Sequence, residues 1–275
     1  MKNSIITFIG GGNMASSLIG GLIADGCPAN NLWVTDLDQA KLDYLAKQFS
    51  VNTTINNNEA IAKSDVVALC VKPQVMYAVT SDIAAAVQDK KPMVISVAAG
   101  IRENNLQTWL GGNVAIVRVM PNTPALIQTG ASGLYANTHV SDDQRNLAES
   151  ILRAVGLALW LNDEAMMDVV TALSGSGPAY FFYVMEAMEN AAINLGLEQK
   201  TAQLLTLQTA LGAAKMALES EFDVAELRHR VTSPGGTTEQ AIKTLQSGQL
   251  EKLFSDALTA ATNRSKELAI EFGEK

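Results

Sequence analysis

Apolar residues change their rhythm once along this chain. In the first half, short apolar runs alternate with stretches whose apolar positions recur every three or four residues. Ile5 to Ile9 reads as a strand, and after three glycines Ala15, Leu18, Ile19, Leu22 and Ile23 fall on one face of a helix that Gly26 and Pro28 stop. Leu32 to Thr35 is a second strand, and Gln39 to Phe49 a helix with Leu42, Leu45, Ala46 and Phe49 on one side. Val66 to Val71 is a wholly apolar strand closed by Lys72-Pro73, and Met93 to Val97 and Val114 to Val119 are two more. Weaker segments near Gly133–Tyr135 and Leu157–Leu161 complete a sheet edge. This alternation predicts an α/β fold with a doubly wound, mostly parallel sheet.

From Asp163 onward β-branched runs vanish, and Ala, Leu, Met, Glu and Gln dominate at helical spacing. The pattern predicts helices from Pro178 to Asn194 with a stop at Gly196, from Glu198 to Glu219, after Pro234-Gly235-Gly236, and from Leu250 to Phe272. The expected division is therefore an α/β domain over 1–162 and an all-α domain over 163–275. Helices this apolar are hard to cover within one small domain, so a dimer interface is expected to bury them.

Composition narrows the classes. The 275 residues, with 48 % hydrophobic and 17 % charged, suffice for two packed cores and exclude disorder as the main state. A net charge of −8 repels phosphate backbones and anionic lipids, so neither nucleic acid nor membrane is an expected partner. The uncharged stretch 3–24 contains too many glycines and polar groups for a targeting or spanning segment. Two cysteines, Cys27 and Cys70, have no metal or redox spacing, and His139 and His229 lie far from both in sequence. No metal site is expected, and a reducing cytoplasm is the expected compartment.

Candidate chemistry starts at Gly10-Gly11-Gly12-Asn13-Met14-Ala15. These residues match G-x-G-x-x-A between a strand and a helix, the arrangement that cradles a dinucleotide pyrophosphate. Asp36 ends the second strand, where a carboxylate accepts ribose hydroxyls and repels a 2′-phosphate; Asp38 adds to the repulsion and Lys41 is the nearest cation. These residues favour NADH, or use of both cofactors, over strict NADPH use. Asp38 is also the better candidate to cap the following helix. Lys72 ends a strand at the ligand-binding edge, either facing a ligand or solvated, and Asn57 fits an adenosine contact or a plain turn. Ala98-Ala99-Gly100 offers backbone without bulk beside the same crevice.

In the helical half, Thr232 to Gln240 forms a second helix-opening loop. Its N–H groups and the hydroxyls of Ser233, Thr237 and Thr238 suit a carboxylate, although Thr237 and Gln240 also have capping-box spacing. Ser174-Gly175-Ser176-Gly177-Pro178 is a similar loop before the longest helix. Neither histidine lies in these loops, which disfavours carbonyl reduction with a histidine acid and suits a pre-protonated cyclic imine.

Taken with Phe8 to Met14, Val71-Lys72-Pro73, Met120-Pro121-Asn122-Thr123-Pro124, Ser174 to Tyr180 and Ser233 to Thr238, the chain resembles pyrroline-5-carboxylate reductases over nearly its whole length. The resemblance implies reduction of L-1-pyrroline-5-carboxylate to L-proline with NADPH or NADH, the last step of proline biosynthesis. It also implies an N-terminal Rossmann domain and a C-terminal helical domain that interlocks in a homodimer, often assembled further into decamers. By motif position, Ser233, Gly236 and Thr237 would hold the substrate carboxylate and Thr238 the ring nitrogen, with Glu164 and Glu221 near the ligand. Ile9, Gly10, Gly11, Gly12, Asn13, Met14, Asn57, Cys70, Val71, Lys72, Pro73, Ala98, Ala99 and Gly100 match cofactor contacts. Two positions depart from the family pattern. Asp36 stands where many members carry Ser or Arg for a 2′-phosphate, and Arg230 stands where Asn is common.

Overall fold

The computed structural model describes residues 4–274. Its sheet has eight strands: β1 (Ile6–Ile9), β2 (Leu32–Thr35), β3 (Asn52–Thr54), β4 (Val66–Leu69), β5 (Met93–Ser96), β6 (Ile116–Met120), β7 (Gly130–Ala136) and β8 (Gly156–Trp160). They are ordered 3-2-1-4-5-6-7-8. All neighbours pair in parallel except β6 and β7. Helices α1 (Asn13–Ala24), α2 (Gln39–Phe49), α3 (Asn57–Ile61), α4 (Pro73–Lys90), α5 (Glu103–Trp109), α6 (Asp142–Arg153) and α7 (Met166–Val170) belong to this part of the chain.

Period-two alternation along the strands feeds two cores. Ile6 and Phe8 pack with Leu18, Leu22, Leu42 and Ile151 on one face of the sheet. Ile9, Val67 and Leu69 pack with Met76, Ile83 and Leu106 on the other. Both faces are thereby covered, which is why the strands read as continuous apolar runs.

Several elements escaped the sequence pattern. The edge strand β3 is polar and half-buried, so it carries no apolar run. Helix α4 begins at Pro73, which reads as a strand stop but occupies the first helical turn, where a missing N–H costs nothing. Its buried stripe is Met76, Thr80, Ile83 and Val87. Helix α5 is short, and α6 opens on a Ser141–Gln144 capping box. The strand expected over Val66–Val71 leaves the ladder after Leu69, although the Cys70 N–H still donates to the Ile9 carbonyl at 2.8 Å.

The second half is helical: α8 (Gly177–Asn194), α9 (Gln199–Glu219), α10 (Val224–Arg230), α11 (Thr237–Ser247) and α12 (Leu250–Gly273). A π-helical turn, Thr171–Gly175, follows α7. The sheet ends at Trp160, close to the expected boundary after residue 162. By contacts the chain divides differently: residues up to Ser176 and from Ala260 onward form one compact unit, and Gly177–Thr259 the other. The difference arises because α7 and the last turns of α12 pack with the sheet. Asp168 accepts from Ser265 Oγ at 2.7 Å, and Gly100 lies against Leu268 and Phe272. No helix among the described residues is long and apolar enough to cross a membrane.

Candidate active site

In the α/β unit the chain order places a glycine turn at the carboxyl end of β1. Gly10 has φ +98°, and a Cβ there would lie 2.9 Å from the Cys70 carbonyl oxygen, so the turn admits only glycine. At Gly12 an added Cβ would meet nothing within 4 Å, and this residue heads α1 without a side-chain cap. The first turn of α1 therefore presents its N–H groups to open space, the property that a phosphate-binding helix start needs. Met14 packs against the core behind this turn.

A cleft of about 440 Å³ runs from Ile9 and Gly10 past Asp36 and Asn57 to Val71. Asp36 is fixed inside it: Oδ2 accepts from the Gly11 N–H at 2.8 Å and Oδ1 from the Asp38 N–H at 2.9 Å. Lys41 Nζ stands 3.5 Å from Oδ2. Burial pushes the Asp36 carboxyl up, but the two N–H bonds and the Lys41 ammonium outweigh it and leave it below the ordinary aspartate value. Asp38 caps α2 through Ala40 N–H, as its position predicted. Asn56 caps α3, and the Thr35 hydroxyl donates to Asn57 Oδ1 at 2.6 Å, holding Asn57 at the cleft wall.

Around the same edge Cys70 is half-buried, and burial pushes its thiol up to about 12, so it contributes shape rather than a thiolate. Lys72 is exposed at the start of α4. Ala98 is buried and Ala99 half-buried. Gly100, with φ +71°, turns its open side toward Leu268 and Phe272, so at that residue the missing side chain serves helix packing.

Beneath this edge lies an ionic network that the sequence pattern did not single out. Arg118 on β6 is 4 % exposed, and its Nη1 donates to Glu164 Oε1 at 2.5 Å, an oxygen that also accepts from the Glu103 N–H at 2.7 Å. Arg102 Nη2 donates to Asp168 Oδ2 at 2.6 Å. Desolvation draws the Arg118 guanidinium down from its ordinary value, and Glu164 pulls it back. The available signal was the one charge inside the apolar run Val114–Val119, since a charge in a buried strand demands a partner.

In the helical unit the loop before α11 leaves several donors without acceptors among the described residues. Gly236 heads the helix with no side-chain cap, and the N–H groups of Thr237, Thr238 and Glu239 have no partner among the described residues. The Thr237–Gln240 capping box allowed by the spacing does not form. Instead Glu239 reaches back to accept from the Gly235 N–H at 2.9 Å, a bond that with Lys243 lowers its carboxyl below the ordinary value. The hydroxyls of Ser233, Thr237 and Thr238 stay free of intramolecular hydrogen bonds among the described residues. Glu221 is exposed in the turn before α10. Arg230 is engaged on its own helix, donating to Glu226 at 2.8 Å and lying 3.5 Å over the Phe222 ring.

Among the described residues no cluster of His, Cys, Asp and Glu could hold a metal ion. Two family descriptions match the chain: "Pyrroline-5-carboxylate reductase dimerisation" over residues 164–268, and "NADP oxidoreductase coenzyme F420-dependent" over residues 5–100. A curated pyrroline-5-carboxylate reductase of Pseudomonas aeruginosa is 53 % identical over 274 residues, covering 100 % of both chains. A solved pyrroline-5-carboxylate reductase of Coxiella burnetii superposes with a TM-score of 0.94 at 52 % identity, covering 97 % of this chain and 98 % of that one. The Plasmodium falciparum pyrroline carboxylate reductase, crystallised with NADP bound, gives 0.87 at 28 % identity over 98 % and 99 % of the two chains.

Proposed function

This chain belongs to the pyrroline-5-carboxylate reductase family, and from that membership we propose which of its residues carry the reaction. The protein reduces L-1-pyrroline-5-carboxylate to L-proline, the last step of proline biosynthesis. NAD(P)H, when bound, supplies the hydride. The chain forms homo-oligomers through its helical half.

On our reading Gly10, Gly11, Gly12 and Asn13 take the pyrophosphate, with Ile9 and Met14 backing the turn. The fit rests on the glycine-only φ at Gly10 and the open space at Gly12. Asp36 and Asn57 take the adenosine end, and Asp36 favours NADH because its fixed carboxylate accepts ribose hydroxyls. Cys70, Val71, Lys72, Pro73, Ala98, Ala99 and Gly100 form the remaining strand-end wall. Arg230, bound to Glu226 and Phe222, serves the cofactor only by leaving those partners.

Ser233, Gly236 and Thr237 grip the substrate carboxylate, and Thr238 orients the ring nitrogen. A cyclic imine is protonated near neutral pH, so the chain need only hold the ring in place, and positioning supplies most of the rate. Glu221 keeps a free carboxylate near this loop in sequence. Glu164 contributes through its Arg118 pair. The observation that carries the reading is the start of α11, where three N–H groups and three hydroxyls, close together in sequence, have no internal partners among the described residues. The wider reading is a cytoplasmic homodimer assembled further into a decamer, with no nucleic-acid or membrane partner. Steady-state assays with pyrroline-5-carboxylate and each reduced nicotinamide test the activity. A raised KM in Ser233→Ala tests the carboxylate grip and a lowered kcat/KM in Thr238→Ala the ring-nitrogen contact, and unchanged KM and kcat in both would refute them.

A further inference from the structure

We propose that Lys41 is the residue that lets this cofactor site admit a 2′-phosphate in spite of Asp36. The proposal rests on the reading of Asp36 as a ribose ligand. That carboxylate cannot turn away from an incoming phosphate, because each oxygen holds a backbone N–H, one from Gly11 and one from Asp38. Its side chain is only 14 % exposed. A phosphate monoester beside it would face an anchored negative charge, and Asp38, two residues on, adds a second.

Lys41 is placed to change that balance. It lies in the first turn of α2, its ammonium 3.5 Å from Asp36 Oδ2 and its side chain 49 % exposed, so it is the mobile member of an otherwise fixed pair. It also lines a second cleft of about 530 Å³ with Gly12, Asn13, Ser16 and Tyr44, on the helix-α2 side of the glycine turn. A lysine on a flexible stem reaches either anion by rotation. With an unphosphorylated ribose the ammonium stays on Asp36. With a 2′-phosphate it sits between the carboxylate and the phosphate, neutralising the added charge.

The test needs no turnover. Titration calorimetry would compare adenosine 2′,5′-bisphosphate with adenosine 5′-monophosphate on the full-length enzyme and on Lys41→Ala, Lys41→Arg and Asp36→Ser. The expected result is that Lys41→Ala lowers the affinity ratio, bisphosphate over monophosphate, about tenfold, the size of one charge-assisted contact. Lys41→Arg should retain most of the ratio, and added salt should erode the wild-type ratio more than that of Lys41→Ala. A ratio unmoved or raised in Lys41→Ala overturns the proposal. Asp36→Ser reports separately on the underlying reading: if monophosphate affinity does not fall and the ratio does not rise, Asp36 is no ribose ligand, whatever Lys41 does.

Discussion

The two compact units of this chain solve the burial problem in opposite ways. In the α/β unit Ile6, Phe8, Leu18, Ile19, Leu22 and Leu69 are at most 1 % exposed. In the helical unit Phe182 is 64 % exposed, Leu211 62 % and Leu218 84 %, and buried apolar side chains are scarce. Yet both units are equally rich in apolar residues at helical or strand spacing. A sheet covered on both faces closes its own core, whereas long helices packed mainly as α8 against α9 leave half their apolar stripes outward. The lesson is that the first unit is self-sufficient and the second is one half of a shared core. An exposed apolar area of this extent marks an interface, which agrees with the dimerisation region matched over 164–268.

If that contrast is right, damage to the first unit should appear as lost stability of the fold itself. The largest effect is expected from Arg118→Ala. It removes a buried guanidinium, leaves Glu164 with the Glu103 N–H alone, and opens a cavity under β6. The loss should be about 3 kcal/mol, the low end for broken buried pairs because Glu164 retains solvent contact. Urea unfolding measures it, and a loss below about 1 kcal/mol would mean that the network is ornamental to the fold.

Damage to the second unit should appear instead as lost association. Phe182→Glu combined with Leu211→Glu puts two charges on stripes that a second copy is expected to cover. Each buried anchor is worth roughly 2 kcal/mol or more at an interface. Sedimentation velocity should show the assembly falling to smaller species, and the melting temperature should become strongly dependent on protein concentration. An assembly unchanged in mass would break the comparison, because those faces would then be merely solvated.

A smaller effect separates chemistry from assembly. Thr238→Ala should lower kcat/KM by about 1–3 kcal/mol, the value of one polar contact to substrate, with sedimentation unchanged. Should mass and activity fall together, the loop before α11 is a structural joint before it is a substrate seat.

The same contrast explains what could be read from the letters alone. Strand and helix periods in the first unit were legible because burial on both faces leaves long apolar runs, and the glycine turn was legible because only glycine tolerates φ +98° against Cys70. Helix α4 was hidden by Pro73, and β3 by its polar edge. In the helical unit the loop at 232–238 was visible as chemistry, but its two readings differed in whether Thr237 and Gln240 close a capping box, and that is a side-chain fact. Arg118, Arg102, Asp168 and Ser265 were invisible as a group because their partners are 46, 66 and 97 residues apart. Pairing over such separations is a property of topology and leaves no local period.

The finest test compares one carboxylate from each unit. Asp36 and Glu239 both accept backbone N–H bonds, both stand near a lysine, and both titrate below their ordinary values of 3.8 and 4.5. A carboxyl depressed by folding contributes stability that is complete above its unfolded pKa and is lost as pH falls through the folded one. The Glu239 contribution should therefore be lost as pH falls below about 4.5, and that of Asp36 below about 3.8. Their response to salt should differ. Asp36 is held chiefly by two N–H groups inside a cleft, which salt does not screen, whereas Glu239, with about twice the side-chain exposure of Asp36, leans on Lys243 as well as Gly235. Carboxyl carbon shifts followed by NMR from pH 6 to about 2, at low and at roughly 0.5 M salt, should show Asp36 keeping its depression while Glu239 moves part of the way back toward 4.5. If both move equally, the first unit shelters its charges no better than the second, and the difference between the two halves of this chain is confined to apolar burial.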